Sequence, residues 1–302
     1  MSLQPIAVIG ASGQIGQALQ RAAADRHVPL ILAGRPDVDF DNGPSLQAFF
    51  ATHRPALVIN AAAYTAVDKA ETEAHAARVA NSDGPAILAE LCQSFGAALI
   101  HLSTDYVFDG AKRQPYIESD PCRSLNVYGA TKAAGEDAVR SALGRHCIVR
   151  TAWVYSSVGQ NFLKTMLRMG AERDVLRVVA DQHGAPTCAD DIAHALLDMA
   201  PRLMDKNESA PVWGTFHLTA SGETTWYGFA EEIFRLARQA GQRVPRLEAI
   251  SIADYPAPAV RPKYSVLDTS KLAQTFGFKL PHWPSSLASC FERLQNTGFE
   301  QR

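Results

Sequence analysis

The sequence lacks the features that identify several classes of protein. Its five cysteines lie far apart and form no CxxC pair, which argues against a disulfide framework or a zinc site and for free thiols in a reducing compartment. The nine histidines include no HExxH motif. No apolar run approaches the ~18 residues that a membrane-spanning helix needs. Internal repeats and low-complexity tracts are absent as well.

An excess of charge of one sign is also missing. Lys and Arg number 29 and Asp and Glu 31, for a formal charge of −2, which gives no support for nucleic acid or an anionic membrane as a partner. Residues 1–5 run directly into a strand-like segment and leave no room for a signal peptide, so we expect a cytoplasmic protein. The chain has 302 residues, 47% of them apolar, enough for one large domain or two ordinary ones.

A glycine-rich turn near the N-terminus has the context of a dinucleotide-binding site. The apolar segment Ile6–Ile9 predicts a buried strand, the GxxGxxG motif of residues 10–16 follows, and strong helix formers begin at Gln17. Glycines let the backbone approach a pyrophosphate closely, and the N-terminus of the helix offers free N–H groups to the anion. The spacing is not GxGxxG, and an ordinary strand–turn–helix connection is the alternative.

Short apolar segments alternate with helical patterns through the first half of the chain. This alternation predicts an α/β fold with a Rossmann-type, doubly wound parallel sheet. Further strands are predicted at 29–33, 56–60, 97–102 and 147–150, and helices at 44–53, 77–95 and from 128.

The pattern loosens after about residue 155. There we predict helices at 161–172, 190–199, 226–239 and 287–295 and strands at 176–179 and 213–218. We therefore predict an NAD(P)-binding Rossmann domain over 1–155, to which later segments add a strand or a helix. A smaller, interleaved C-terminal substrate lobe is predicted mainly over 156–302.

Residues after the second and third strands bear on cofactor recognition. In this fold the end of strand two meets the adenosine ribose, where a basic residue accommodates a 2′-phosphate. Gly34-Arg35 therefore favours NADP, although Arg35 could equally be a surface arginine. Asp39-Phe40 could contact adenine or end a short strand. The small residues Ala61–Ala63 would let a ligand pass close, or would start a tightly packed helix.

Tyr128 and Lys132 lie four residues apart at the start of an alanine-rich helix, so both side chains leave the same face. An adjacent ammonium favours phenolate, so we predict a lowered pKa for Tyr128 and a role as general acid or base. Gly13, Ala63 and Thr104 follow strand ends and should face one crevice. The Thr104 hydroxyl could hydrogen-bond a substrate carbonyl or the phenol. The alternative is a Tyr–Lys pair on a solvated helix face.

These motifs resemble the extended short-chain dehydrogenase/reductases. Within that superfamily the resemblance is to the reductases that complete dTDP-L-rhamnose synthesis. It implies reduction of the C4 ketone of dTDP-4-dehydro-6-deoxy-L-mannose by NADPH or NADH, with a dTDP-sugar as the small-molecule partner. The matching stretches run nearly end to end and include residues 60–71, 103–110, 125–129, 150–155, 161–168, 181–187 and 265–268.

The resemblance also implies residue roles. Tyr128 would protonate the alkoxide that forms at C4, Lys132 would lower the pKa of that tyrosine and hold the nicotinamide ribose, and the Thr104 hydroxyl would polarise the carbonyl. Asp105 and Trp153 match substrate-contacting positions, as does Thr104. The expected cofactor contacts include the residues after strand two. The full set is Gly10, Gly13, Gln14, Ile15, Gly34, Arg35, Asp39, Phe40, Ala63, Tyr64, Thr65, Tyr128 and Lys132.

Other functions within the superfamily stay open. Dehydratases typically carry a glutamate where this chain has Tyr106, so elimination is disfavoured. An epimerase, a reductase of another sugar nucleotide, or a non-catalytic subunit resembling the regulatory subunit of methionine adenosyltransferase remain alternatives. Arg261 lies in a loop that contains several prolines. It could pair with the dTDP diphosphate or be a surface arginine.

No metal is expected. Some reductases of this kind bind magnesium through glutamates at a dimer interface, but Ala18 falls where one such acid is sought, and Asp190 and Glu292 are isolated. Ala152 replaces the serine expected between Thr151 and Trp153, a tolerable change. The sequence shows no long apolar seam, and a homodimer is expected only because it is the commonest assembly.

Overall fold

The computed structural model describes residues 5–35, 38–40, 43–205 and 210–297. Residues 1–4, on which the expected lack of a signal peptide partly rests, lie outside the described part, as does Asp41. Strands and helices alternate through the first half. They are β1 (Ile6–Ile9), α1 (Gln14–Asp25), β2 (Leu30–Ala33), α2 (Gly43–His53), β3 (Leu57–Asn60), α3 (Val67–Ala70), α4 (Ala74–Arg78), a π-helical turn (Val79–Asp83), α5 (Gly84–Phe95), β4 (Ala98–Thr104), a 3-10 turn (Asp105–Val107), α6 (Val127–Ala142) and β5 (His146–Thr151).

The second half has shorter strands between its helices. Its elements are β6 (Val154–Tyr155), α7 (Phe162–Glu172), β7 (Val175–Val179), β8 (His183–Gly184), β9 (Thr187–Cys188), α8 (Ala189–Leu203), β10 (Gly214–His217), β11 (Thr224–Thr225), α9 (Trp226–Gln239), β12 (Arg246–Ile250), a 3-10 turn (Ile252–Asp254), α10 (Ser270–Phe276) and α11 (Trp283–Asn296). No helix in the described ranges is long and apolar enough to cross a membrane.

Six strands form one parallel sheet in the order β10, β5, β4, β3, β1, β2. The chain leaves β1 for β2 on one side and returns to β3 on the other, so the order reverses between β1 and β3. The register there pairs Ile9 at the end of β1 with Asn60 at the end of β3. Ligands bind beyond the carboxyl ends of the strands at such a switch point. The predicted α/β fold with a doubly wound parallel sheet is confirmed.

Apolar side chains cover both faces of the sheet, which is why its strands read as continuous apolar runs. On one face Leu19 of α1 and Leu196 of α8 pack with Val8 and Ile100. On the other, Phe50 of α2 and Leu88 of α5 pack with the remaining strand residues. Strand β10 and helix α8 belong to the second half of the chain, yet they complete the layers around the sheet.

A separate apolar cluster joins the helices of the second half. Leu163 of α7, Phe229 and Ile233 of α9, and Leu287 of α11 are all buried in it. The parallel pair of β7 and β12 contributes Leu176 and Val178. This cluster forms a second core beside the sheet, and the domain boundary near residue 155 stays a prediction.

Several predicted elements differ in their limits from the observed ones, three of them as follows. The strand predicted to end at residue 102 continues through Thr104, because Thr104 pairs in register with Thr151 of β5. The helix predicted from residue 77 begins at Ala74 and is interrupted by the π-helical turn before α5. The C-terminal helix begins at Trp283 rather than Leu287, with a proline in its first turn, where a missing N–H costs nothing.

Helix α6 packs unusually close to the π-helical turn. A Cβ atom at Gly135 would overlap the carbonyl oxygen of Asn81, so only glycine permits this separation. The contact matters for the site because α6 carries Tyr128 and Lys132, whereas the turn carries Asn81.

Replacing Gly135 with Ala should lower the free energy of unfolding by about 1–3 kcal/mol, because the added methyl must push α6 from the turn. Gly144→Ala is the matched control, since nothing lies within 4 Å of its Cβ position. That variant should stay within about 0.5 kcal/mol of the parent. Urea unfolding followed by circular dichroism measures both, and equal effects would contradict the close contact.

Candidate active site

The glycine turn lies at the switch point between β1 and β3. Gly10 has φ +86°, and a Cβ there would stand 2.5 Å from the Ala62 nitrogen, so both the backbone angle and the close approach require glycine. Gly13 is the N-cap of α1, and a Cβ there would touch only the Gly10 oxygen, at 3.4 Å. The first turn of α1 carries no acidic residue, which leaves its N–H groups suited to an anion.

A cleft of about 550 Å³ opens beside this turn. Seven of the residues predicted to contact a cofactor line it: Gly10, Gly13, Gly34, Arg35, Phe40, Ala63 and Tyr64. The sequence analysis did not single out Ser12, Val38, Ala76, Val79 and Ala80, which line it too. Most of these are small or apolar and carry no motif that would mark them.

The other six predicted cofactor residues are not among those that line the cleft, and two of them, Tyr128 and Lys132, lie on α6. Gln14 accepts a hydrogen bond from Asn161 Nδ2 at 2.9 Å, and Ile15 packs against the core on one face of the sheet. Asp39 pairs with Arg35, with 3.3 Å between the carboxylate and Nε. Thr65 is exposed in the loop after Tyr64. Arg35 follows β2, and its side chain is 73% exposed.

Asn81 is a functional candidate that sequence reasoning missed. It is fully buried in the π-helical turn. Its Oδ1 accepts from the Tyr64 backbone N–H at 2.9 Å, and its Nδ2 donates to the Tyr64 carbonyl at 3.1 Å and to Thr131 Oγ1 at 3.2 Å. Asn81 therefore ties the loop that borders the cleft to helix α6. A lone asparagine inside a helical pattern gives no sequence signal for this role.

Thr104 and Tyr128 meet at the carboxyl end of β4. Tyr128 lies in the first turn of α6, which Asn126 caps by accepting from the Gly129 N–H at 2.8 Å. The Thr104 hydroxyl lies within hydrogen-bonding reach of the Tyr128 phenol. Thr104 also accepts from the Tyr106 N–H at 3.1 Å and donates to Asp105 Oδ1 at 3.0 Å. A phenol and a hydroxyl thus lie side by side, but neither Thr104 nor Tyr128 is among the residues that line the cleft, so the shared crevice stays a prediction.

The predicted lowering of the Tyr128 pKa is wrong. Although part of the side chain is exposed, protein atoms surround the phenol, and this desolvation raises the pKa of Tyr128 to about 12. The nearby Thr104 hydroxyl favours the phenolate and opposes this rise in the pKa, whereas the negative charge of Asp105 adds to it. Lys132 does not offset it, because its Nζ is turned to the sheet and donates to the Leu102 carbonyl at 2.6 Å.

Lys132 is buried to 1% exposure. Burial lowers the pKa of its ammonium to about 8, and the charge of Glu136 opposes this shift only in part. Asp105, also buried, shows the opposite response of an acid, because burial raises the pKa of its carboxyl to about 6. The Ser265 hydroxyl lies close enough to favour the carboxylate, although Asp105 Oδ2 makes no hydrogen bond of standard geometry.

Trp153 stands at the other side of the crevice, after β5. Its φ is +48°, a left-handed conformation that is rare for a large side chain. The ring stacks on Trp226 of α9, with centroids 3.6 Å apart and planes 8° apart. A Cβ at Gly184 would overlap the Trp153 ring. Packing from α9 and β8 therefore holds Trp153, which the sequence could not indicate.

Arg261 is neither a solvated surface arginine nor free of partners. Its Nη2 lies 2.8 Å from Asp68 Oδ2, and its side chain is 17% exposed. Asp68 also accepts from the Ala259 N–H at 3.2 Å, and the Arg261 side chain hydrogen-bonds that of Tyr106. These contacts join the proline-punctuated loop to α3 beside the crevice. Pairing with a diphosphate stays a prediction.

A buried ion pair lies directly under the Tyr–Lys face of α6. Glu136 is fully buried and accepts from Arg150 Nε at 2.8 Å and Nη2 at 2.6 Å, and from Ser103 Oγ at 2.6 Å. These donors hold the pKa of the Glu136 carboxyl low despite burial. Arg140 completes the set from one turn further along α6. The charges thus satisfy one another inside the core.

In the described ranges no group of three His, Cys, Asp or Glu side chains is arranged to hold a metal ion. The positions considered for a metal site in the sequence either pair with arginines or offer no neighbouring ligand among the residues that the structure describes. Asp190 pairs with Arg21 at 2.7 Å and with Arg293 at 3.5 Å, whereas Ala18 is buried and Glu292 is exposed.

The switch-point cleft beside a Thr–Tyr–Lys arrangement defines an extended short-chain dehydrogenase/reductase. The model of the family described as the RmlD substrate binding domain matches residues 4–296, and the chain belongs to this family. It is 46% identical over 281 residues to a dTDP-4-dehydrorhamnose reductase from Sinorhizobium fredii, covering 93% of this chain and 94% of that relative.

Solved structures are similar over the whole chain. A dTDP-4-dehydrorhamnose reductase from Clostridium acetobutylicum superposes with a TM-score of 0.89 at 40% identity, covering 97% of this chain and 100% of that one. A dTDP-4-dehydrorhamnose reductase from Bacillus anthracis, solved in complex with NADP, has a TM-score of 0.88 at 33% identity, with 96% and 99% covered. The resemblance inferred from the motifs is confirmed.

Replacing Glu136 with Gln should lower the free energy of unfolding by about 3 kcal/mol, because it leaves the buried Arg150 charge without its partner. Asp137→Asn is the matched control: Asp137 also pairs with Arg140, but its side chain is 77% exposed. The control should change stability by less than about 0.5 kcal/mol. If urea unfolding showed similar losses of unfolding free energy for both variants, the buried ion pair would contribute no more to stability than the exposed one.

Proposed function

We propose that this chain catalyses the NAD(P)H-dependent reduction of the C4 ketone of dTDP-4-dehydro-6-deoxy-L-mannose to dTDP-L-rhamnose. The observation that carries the proposal is the adjacent Thr104–Tyr128 pair at the end of β4, with the buried Lys132 one turn along α6 and the cleft at the switch point of the same sheet. Family membership narrows the substrate class to the sugar nucleotide on which the named relatives act.

The residues around the crevice are suited to a reduction. A nicotinamide held beside Tyr128 and Lys132 would supply the hydride for C4 of the sugar. Thr104 and Tyr128 would both donate to the ketone oxygen, which places the carbonyl and stabilises the negative charge that develops there. Tyr128 would then pass its proton to that oxygen, giving the alcohol.

The raised pKa of Tyr128 supports this direction of catalysis. A phenol with a pKa of about 12 keeps its proton at neutral pH, and it still donates readily to an alkoxide, which is a much stronger base. Lys132, with a pKa of about 8, would return a proton to the phenolate after each turnover. Burial therefore keeps Tyr128 protonated at neutral pH and makes the Lys132 ammonium a proton donor near that pH.

The cofactor we propose is NADPH, with NADH as a weaker substitute. Arg35 stands after β2, where the fold meets the adenosine ribose, and its exposed guanidinium at the cleft supports recognition of a 2′-phosphate. The relative from Bacillus anthracis was solved with NADP. The predicted contacts of Gly10, Gly13 and Tyr64 with the cofactor are part of this proposal.

Substrate binding is proposed to involve Asp105, Trp153 and Arg261. Asp105 directly follows β4 and Trp153 follows β5, and Arg261 lies in the loop after β12, where it pairs with Asp68. The diphosphate would draw the Arg261 guanidinium into a charge-assisted pair in competition with Asp68. Tyr106 hydrogen-bonds Arg261 and has a raised pKa because it is buried, which makes it unsuited to the base role of a dehydratase.

The cellular setting is part of the same proposal. We place the enzyme in the cytoplasm, as a homodimer without nucleic acid or membrane partners, in nucleotide-sugar synthesis for carbohydrates such as lipopolysaccharide. Light scattering on a sizing column tests the dimer.

The deciding assay follows nicotinamide absorbance while purified protein acts on enzymatically prepared dTDP-4-dehydro-6-deoxy-L-mannose, with NADPH and NADH in separate reactions. Loss of absorbance matched by formation of dTDP-L-rhamnose supports the reductase and ranks the cofactors. An epimerase would consume no cofactor. Absence of turnover with nucleotide binding retained in calorimetry would favour another sugar nucleotide or a regulatory subunit.

Replacing Tyr128 with Phe should lower kcat by about 10²- to 10⁴-fold, since the proton donor is lost, and should leave NADPH affinity intact. Tyr155→Phe is the matched control, because Tyr155 is buried in the second core and its hydroxyl has no hydrogen-bond partner among the described residues. Its activity should equal that of the parent. Turnover of Tyr128→Phe within tenfold of the parent would refute the assigned role.

The pH dependence should follow Lys132. Its ammonium is half lost at pH about 8, so kcat/KM for the cofactor should be nearly flat from about pH 6.5 to 7, halve near pH 8 and approach a tenfold fall per pH unit above about pH 9. Steady-state rates in overlapping buffers at constant ionic strength give the profile. A flat profile to pH 9.5 would rule out this proton supply.

A further inference from the structure

His101 is a fully buried histidine beneath the site, and the proposed chemistry gives it no part. It lies on β4, with Nε2 3.5 Å from Lys132 Nζ. On the other side of the ring, Nδ1 lies 3.1 Å from Nδ2 of Asn60, which is buried as well. The imidazole is thus wedged between the end of β3 and the lysine of α6.

The Asn60 amide determines which ring nitrogen carries the proton. Asn60 Oδ1 accepts from the Ala62 backbone N–H at 3.1 Å, so the NH₂ group must be the end that faces His101. An amide NH₂ only donates, and Nδ1 must therefore accept. Burial and then the charge of Lys132 hold the pKa of His101 well below its usual range, so the ring is neutral. Its one proton is left on Nε2.

An Nε2–H beside Lys132 restricts the directions in which the ammonium protons can point. Both groups are donors when the lysine is charged, so the ammonium cannot bond to the ring. One ammonium proton goes to the Leu102 carbonyl at 2.6 Å, and the other two must point away from the His101 ring. The remaining charged group near the lysine, Glu136, lies one turn along α6 and is occupied by Ser103, Arg140 and Arg150.

We propose that His101, held by Asn60 as the Nε2–H tautomer, is a positioning residue for Lys132: it directs the ammonium protons away from the ring and makes the ammonium easier to deprotonate. The catalytic meaning of this inference rests on the function proposed above. The tautomer and its effect on the lysine are properties of the protein alone. They can be measured without turnover.

Nitrogen NMR of ¹⁵N-histidine-labelled protein tests the tautomer directly. His217 serves as an internal control, because it is equally buried but has the opposite surroundings. Its Nδ1 lies 3.1 Å from the Asp268 carbonyl oxygen and its Nε2 is 3.5 Å from Arg150 Nη1, so its proton belongs on Nδ1. The spectrum should show His101 as Nε2–H and His217 as Nδ1–H. His101 found as Nδ1–H, or doubly protonated, would overturn the proposal.

Asn60→Asp tests the effect on Lys132 with nearly unchanged shape. One carboxylate oxygen would keep the Ala62 N–H bond, and the other would accept from Nδ1–H, so Nε2 would become an acceptor for the ammonium. The titration midpoint of Lys132, sensed through the His101 nitrogen shifts, should rise by about one pH unit. The alkaline limb of kcat/KM should move upward equally. Asn296→Asp, at the exposed end of α11, adds the same charge and should move neither.

His101→Leu is a second variant that also identifies the His101 signals. It removes the opposing N–H, so the alkaline limb should again move to higher pH. If both variants fold, by circular dichroism, the proposal is wrong when both leave the alkaline limb in place and Asn60→Asp also leaves the titration midpoint in place. If neither the parent nor the variants reduce the sugar nucleotide, the proposed function fails, while the NMR result still decides the tautomer.

Discussion

The structure depends on one buried carboxylate. Lys132 and Arg150 are both about 1% exposed, and Glu136 is the anion closest to each of them. It takes two hydrogen bonds from Arg150 and lowers the cost of burying Lys132 one turn away on α6. Without it the sheet would hold two uncompensated cations. With it, α6 can press against β4 and present Tyr128 and Lys132 at the strand end.

The same burial acts on each titratable group according to its charge. Desolvation always opposes the charged form, so it raises the pKa of Tyr128 and of Asp105 but lowers that of Lys132. A crevice that excludes water thus produces an acid that keeps its proton and an ammonium that releases one near neutrality. The sequence analysis considered only the attraction between phenol and ammonium and obtained the wrong sign for Tyr128.

Features set by residues close together in the sequence were predictable. Features set by contacts between residues far apart in the sequence were not. The strand, turn and helix around Gly10–Gly16 follow from residues within ten positions of each other, and the long matches indicated the family. In contrast, Asn81 acts on Tyr64, 17 positions away, and Asn60 acts on His101, 41 positions away. Nothing near either asparagine marks it. Arg261 was recognised as a cation, but its pairing with Asp68 spans 193 positions.

By itself the sequence determined the order of strands and helices in the sheet of the first half, the glycine turn and the four-residue spacing of Tyr128 and Lys132, because these follow from the periods of the backbone. Only the tertiary structure decided which protons these residues hold, which tautomer His101 adopts, and that β10 and α8 complete the first half of the fold. The physical reason is that desolvation and hydrogen bonding are set by neighbours in space, and those neighbours come from strands far apart in the chain.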